Sequence, residues 1–194
     1  MLERISGSLL DPDALMRLAQ RDDVESRIVA RSRGRWTVRH GPFSRSETKR
    51  LPRRGWTLLV QGVDRAHEAA SDLIREFSFI PYARLDDVMV SYATPGGGVG
   101  PHFDSYDVFL VQAMGERRWQ VSAQSDRALV PDAPLRLLSA FKPSHIWTVS
   151  PGDVLYLPPG WCHDGTALTE CITCSVGFRA PADHELASRF LDFL

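Results

Sequence analysis

At 194 residues, with 43% hydrophobic and 24% charged side chains, the chain has the size and balance of one globular domain and can bury about 70% of its unfolded surface. A formal net charge of -1 gives no electrostatic case for nucleic acid or an anionic membrane, and neither DNA nor a membrane is expected as a partner. No apolar run reaches the roughly 18 residues of a membrane helix, and Met1-Leu-Glu-Arg4 lacks the apolar core of a signal peptide. The three cysteines are too few and too odd in number for a disulfide framework, so a reduced, cytoplasmic protein is expected.

In chain order, Asp11 and Pro12 open a helix as N-cap and first residue. Gly34 to His40 alternates apolar and polar residues as a strand does, closed by Gly41-Pro42. Ser44 to Arg54 reads as an exposed basic loop, Trp56 to Val63 as a buried strand, and Ala66 to Phe79 as an amphipathic helix. Lys49 and Lys142 are the only lysines and asparagine is absent, so the many arginines reflect GC-rich codon usage more than a binding patch.

From Asp87 onward short strands separated by turn signals take over. They are Val88 to Ala93, a hairpin of Val108 to Gln112 and Arg117 to Ala123 about Met114-Gly115, then Trp147 to Val149, Val154 to Leu157 and Cys171 to Phe178. Asp183 then caps a last helix with Leu186, Phe190, Leu191 and Leu194 on one face. Helices flanking short strands predict a mainly β (α+β) fold, a double-stranded β-helix or cupin-like jelly roll. The expected organisation is an N-terminal helix and strand segment over 1–85, a catalytic core over 86–181, and the start of a helical region over 182–194. The apolar ending Leu191-Asp-Phe-Leu194 implies a truncated chain.

The most informative stretch is Pro95-Gly-Gly-Gly-Val-Gly-Pro-His-Phe-Asp104, answered by Pro158-Pro-Gly-Trp-Cys-His163. On a strand, residues i and i+2 point to one side, so His102 and Asp104 can bind one metal together. His163 is far enough along the chain to arrive from another strand. Two histidines and a carboxylate are the facial triad that holds Fe(II) and leaves positions open for dioxygen and a co-substrate. A lone histidine is usually only a polar residue; here glycine and proline fix the backbone of both segments.

These segments, with Gly115-Glu-Arg-Arg-Trp119, Pro151-Gly-Asp-Val-Leu-Tyr-Leu-Pro-Pro-Gly160 and Ser175-Val-Gly-Phe-Arg-Ala-Pro181, resemble the bacterial ribosomal oxygenases. Those are JmjC-type hydroxylases of the cupin superfamily that use Fe(II), 2-oxoglutarate and O₂. The resemblance puts His102, Asp104 and His163 on the family's iron positions. It implies hydroxylation of a side chain of a large-subunit ribosomal protein, arginine first and histidine as the alternative. It also implies a homodimer in a full-length form. A non-catalytic metal-binding cupin, or a ribosome-docking module, is the rival of another class.

The distal carboxylate of 2-oxoglutarate calls for an arginine. Arg117 has the parity of Trp119 and Val121 and so faces inward, whereas Arg118 pairs with Gln120 and faces out; the resemblance points to the same arginine. Thr173 and Ser175 share one face of the last strand, and with Ser91 they are candidate hydrogen-bond partners of the co-substrate. Cys171 and Cys174, three apart on a strand, point to opposite faces and cannot chelate together. Tyr106, Asp107, Glu116 and Asp164 are candidates to receive a cationic substrate. His40, His67, His145 and His184 show no site spacing.

Overall fold

Helix α1 spans Pro12–Leu18 and is capped as its first residues dictate, with Ala14 N donating to Asp11 Oδ1 at 2.5 Å. The computed structural model describes residues 11–179 and 190–191. Strands β1 (Ser26–Ser32) and β2 (Arg35–His40) form a hairpin across Arg33 and Gly34, both at positive φ as a tight two-residue turn demands. β1 went unread in the sequence because Ile28, Val29 and Ala30 are consecutive and hide any alternation. The stretch read as a loop carries a short helix, α2 (Arg45–Thr48), closed by a Ser44–Glu47 capping box.

Strand β3 spans Trp56–Val60 and is buried throughout. It ends before the expected Val63, because Gly62 turns left-handed and Val63–Arg65 forms a 3-10 turn. Helix α3 covers Glu68–Arg75, shorter than the expected 66–79, and buries Ala70, Leu73 and Ile74. Eight strands follow: β4 (Leu85–Ala93), β5 (His102–Phe103), β6 (Asp107–Met114), β7 (Arg117–Ser122), β8 (His145–Val149), β9 (Val154–Leu157), β10 (Cys162–Ala167) and β11 (Cys171–Phe178). β10 is a second strand missed in the sequence, since Cys-His-Asp-Gly-Thr-Ala carries little β propensity.

All pairings among the described strands are antiparallel. A seven-stranded sheet has the order β2-β1-β3-β4-β11-β6-β9, and a four-stranded sheet the order β5-β10-β7-β8. This is the mainly β double-stranded β-helix with flanking helices. Strand alternation divides the larger sheet between two environments. One face presents Leu58, Val60, Val88, Val90, Val176 and Phe178 to α1 and α3, forming the main core. The other turns Arg27, Leu59, Asp87, Met89 and Ser175 into a cavity. Among the described residues no helix is long and apolar enough to cross a membrane. The helix expected from Asp183 lies outside the described residues, except that Phe190 and Leu191 are helical and exposed.

Glycine is required where backbones meet. A Cβ on Gly98 would overlap the carbonyl oxygen of Gly165, and one on Gly97 that of Trp56. Gly98→Ala therefore forces two backbones apart. A loss of about 2 kcal/mol is expected, read as a melting temperature several degrees lower.

Candidate metal centre

The glycine-rich segment brings the ligands together by bonding directly to β10. Gly96 N donates to Ala167 O at 2.8 Å and Ala167 N to Gly97 O at 2.9 Å. At the other end Gly160 N donates to Asp104 O at 2.7 Å. Between these ties β5 pairs with β10, with His102 directly opposite His163. His163 is the second residue of β10, just beyond the Pro-Gly turn.

The two imidazole centroids lie 4.2 Å apart, and His163 Nε2 is 3.6 Å from Asp104 Oδ2. One ligand atom from each of His102, Asp104 and His163 falls within 4.8 Å of the others. Both rings are fixed by backbone carbonyls: His102 Nδ1 is 2.8 Å from Gly100 O, and His163 Nδ1 is 3.0 Å from Trp161 O. A carbonyl can only accept, so Nδ1 carries the proton and Nε2 keeps its lone pair for a metal. Burial, with His102 adding to it, lowers the His163 pKa to about 3, so its ring is neutral, the form that ligates. Burial pushes the Asp104 carboxyl above its usual range, with His102, Arg27 and Arg136 opposing the rise. The donor set of two imidazoles and one carboxylate suits a non-haem Fe(II) site.

Residue parity on β7 is as expected: Arg117, Trp119 and Val121 are buried, and Arg118 is exposed. Arg117 Nη2 donates to Cys171 Sγ at 3.5 Å, and its guanidinium lies over Trp119, whose ring is in turn 5.9 Å from that of His163. Arg117 Nε, Trp119 Nε1 and Thr57 Oγ1 are buried without a hydrogen-bond partner. Buried polar atoms are rarely left so, and these are suited to a polar guest.

The small hydroxyl residues divide. Ser175 lines the cavity. Ser91 is buried with its hydroxyl donating to Thr173 O at 3.3 Å, and Thr173 Oγ1 donates to Gln112 Oε1 at 2.8 Å. Cys171 and Cys174 are free and buried, and burial pushes the Cys174 thiol up to about 12.

A cavity of about 250 Å³ opens beside His102 and Asp104. Of the four suggested substrate residues Tyr106 alone lines it; burial and the nearby Asp104 push its hydroxyl up to about 12. Asp107 is bound instead to Arg84 at 2.8 Å and accepts from Tyr156 OH at 2.7 Å. Glu116 lies in the β6–β7 turn, and Asp164 is half-buried on β10 outside the cavity lining. The cavity's carboxylate beyond the triad is Asp87, which the sequence reading missed. Its Oδ2 accepts from Gln61 Nε2 at 2.7 Å and Gly62 N at 2.9 Å, and burial pushes its pKa up. The available signal was its parity with Met89 and Ser91.

A family model described as "JmjC domain" matches residues 72–186. A relative from Escherichia coli (strain K12), "Ribosomal protein uL16 3-hydroxylase", is 43% identical over 186 residues, 95% of this chain and 49% of the relative. A "Probable ribosomal oxygenase" from Haemophilus influenzae is 40% identical over 175 residues, 88% of this chain and 43% of its own. Among solved structures, "YcfD a Ribosomal oxygenase from Escherichia coli in complex with Cobalt and 2-oxoglutarate" superposes with a TM-score of 0.83 at 42% identity, covering 96% of this chain and 48% of that one. This chain thus spans about half the length of the relatives it matches.

Proposed function

This chain belongs to the JmjC domain family, and on that footing we propose that it is an Fe(II)- and 2-oxoglutarate-dependent oxygenase that hydroxylates an arginine side chain of a large-subunit ribosomal protein. The observation that carries the reading is the meeting, in one cavity, of two members of the ligand triad, His102 and Asp104, with the buried carboxylate of Asp87. An apolar substrate would gain nothing from Asp87, whereas a guanidinium pairs with a carboxylate through charge-assisted hydrogen bonds. Tyr106, in the same wall, offers a ring face to such a planar cation. The names of the relatives support a ribosomal protein, uL16 above all, as the target.

His102, Asp104 and His163 would hold the iron. Bound there with 2-oxoglutarate, it supplies oxidation of a carbon–hydrogen bond by dioxygen, coupled to decarboxylation of the diacid to succinate. The chain's own residues bind and orient. The Gly100 and Trp161 carbonyls keep both Nε2 atoms aimed at the ligand position. Arg117, buried on the inner face with its Nε unpartnered, would anchor the distal carboxylate of 2-oxoglutarate, and Trp119 Nε1 and Thr57 Oγ1 are free to help. Ser175 would face the co-substrate from the cavity wall, with Ser91 and Thr173 buried beside it on the same face of the sheet. Cys171 steadies the Arg117 guanidinium from behind.

The test is incubation of purified uL16 with the chain, Fe(II), 2-oxoglutarate and air. A single added oxygen on one arginine, by peptide mass spectrometry, is the expected result; succinate formation without it would refute the target. Asp87→Asn keeps the size of the side chain and removes its charge. It is expected to lower kcat/KM for the protein substrate about 30-fold or more, with little change in 2-oxoglutarate binding. The proposed partners and location are a ribosomal protein in the cytoplasm; light scattering would test the homodimer.

A further inference from the structure

Three exposed guanidinium groups lie on aromatic faces around the mouth of the cavity. Arg127 and Arg136 lie 5.2 and 5.6 Å from the centroid of Phe103, the residue between two metal ligands. Arg31 lies 5.3 Å from the ring of Trp36. The two platforms meet at the glycine-rich segment: a Cβ on Gly100 would be 2.6 Å from Leu137 Cδ2 and 2.8 Å from Trp36 Cζ2. Arg136 precedes Leu137 and itself lines the cavity, as does Arg27.

Among the described residues, Arg31, Arg127 and Arg136 form no ion pair. Other exposed arginines do: Arg21 with Asp23, Arg39 with Glu47 and Arg75 with Asp72. The near-zero net charge leaves room for a local cluster of stacked guanidinium groups beside the cavity. Stacking fixes each guanidinium plane; Arg127 turns one edge towards Cys162 and the Gly160 turn, and the N–H groups of Arg31 and Arg136 suit bidentate phosphate recognition.

We propose that this rim docks single-stranded RNA, with phosphates on the guanidinium edges and bases against the Trp36 ring and the outer planes of the guanidinium groups stacked on Phe103. The choice of RNA rests on the substrate reading above. A cationic protein segment arriving bare would meet like charge at the rim, whereas a strand of RNA held by both removes that repulsion. Aromatic platforms beside the cations favour a ligand with stacking bases over an acidic peptide.

The test is fluorescence anisotropy of a labelled oligouridylate of about 12 nucleotides with the whole chain, over about 50 to 200 mM salt, without iron or 2-oxoglutarate. Three phosphate contacts predict a slope of log K against log salt near -2, because each contributes about -0.7 on a single strand. Arg31→Ala, Arg127→Ala and Arg136→Ala are each expected to flatten the slope by about 0.7 and weaken binding several-fold. Arg75→Ala, on the helical side of the sheet, should change neither. Arg127→Lys or Arg136→Lys keeps the charge and loses the plane, so it should keep the slope while weakening binding. It also serves where an alanine variant fails to fold. Salt-independent binding, or a triple alanine variant that binds as the parent does, overturns the proposal. So does equal, rim-dependent binding of polyglutamate of the same length. Hydroxylation is not the readout, so failure of that reading and failure of this one are seen separately.

Discussion

Asp104→Ala should abolish hydroxylation and leave the protein folded. The carboxylate is the one anionic ligand of the triad, 3.6 Å from His163 Nε2, and its backbone oxygen is tied to Gly160 N. Alanine leaves that backbone tie intact, so β5 and β10 keep their register. What goes is the charge that neutralises a divalent ion and fixes its third position. Disturbing partners behind a metal ligand already costs about 10–100-fold in metal affinity or activity, so loss of a ligand should exceed 100-fold. Succinate formation from 2-oxoglutarate and titration with Mn(II) are the paired measurements. Turnover within tenfold of the parent would remove the iron assignment. It would revive the non-catalytic cupin as the better reading.

Arg117→Met should separate stability from activity in opposite directions. The guanidinium is buried, its nearest polar partner is a thiol, and its Nε has none. A buried cation without a carboxylate is costly, and methionine fills similar volume without charge. The variant is expected to melt at a higher temperature than the parent. Its affinity for 2-oxoglutarate, by calorimetry with a redox-inert metal, should fall by roughly 100-fold or more, because the diacid's distal carboxylate would be buried without its cation. Metal affinity should stay the same. A purely structural role predicts a lower melting temperature and unchanged co-substrate binding, so one pair of measurements decides.

The parts legible in the sequence were those where one strand's alternation carries the information. His102 and Asp104 share a side because they are two apart, and Arg117 turns inward because Trp119 and Val121 do. Residues whose placement depends on a neighbouring strand were harder to read. His163 lies on β10, whose pairing with β5 and β7 fixes a segment of weak intrinsic preference. Asp87 follows Asp86, and parity alone does not say which of the two faces the cavity. The packing of α1 and α3 on the other face decides it, leaving Asp86 to pair with Arg179 at 2.7 Å. β1 was hidden by its run of Ile28, Val29 and Ala30, although Ile28 packs in the main core and Arg27 faces the cavity.

The ties between the glycine-rich segment and β10 also set an order of events in folding. The backbone bonds that bring the three ligands together join stretches distant along the chain, Gly96 and Gly97 to Ala167, and Asp104 to Gly160. Contacts of such long range form only after the intervening loop has been closed, so they belong to the late stages of assembly. Iron held by the triad would then meet a socket already formed, rather than nucleate the fold as zinc does in a finger. Loading is thereby uncoupled from chain collapse, and a newly made molecule can mature first and acquire its metal afterwards.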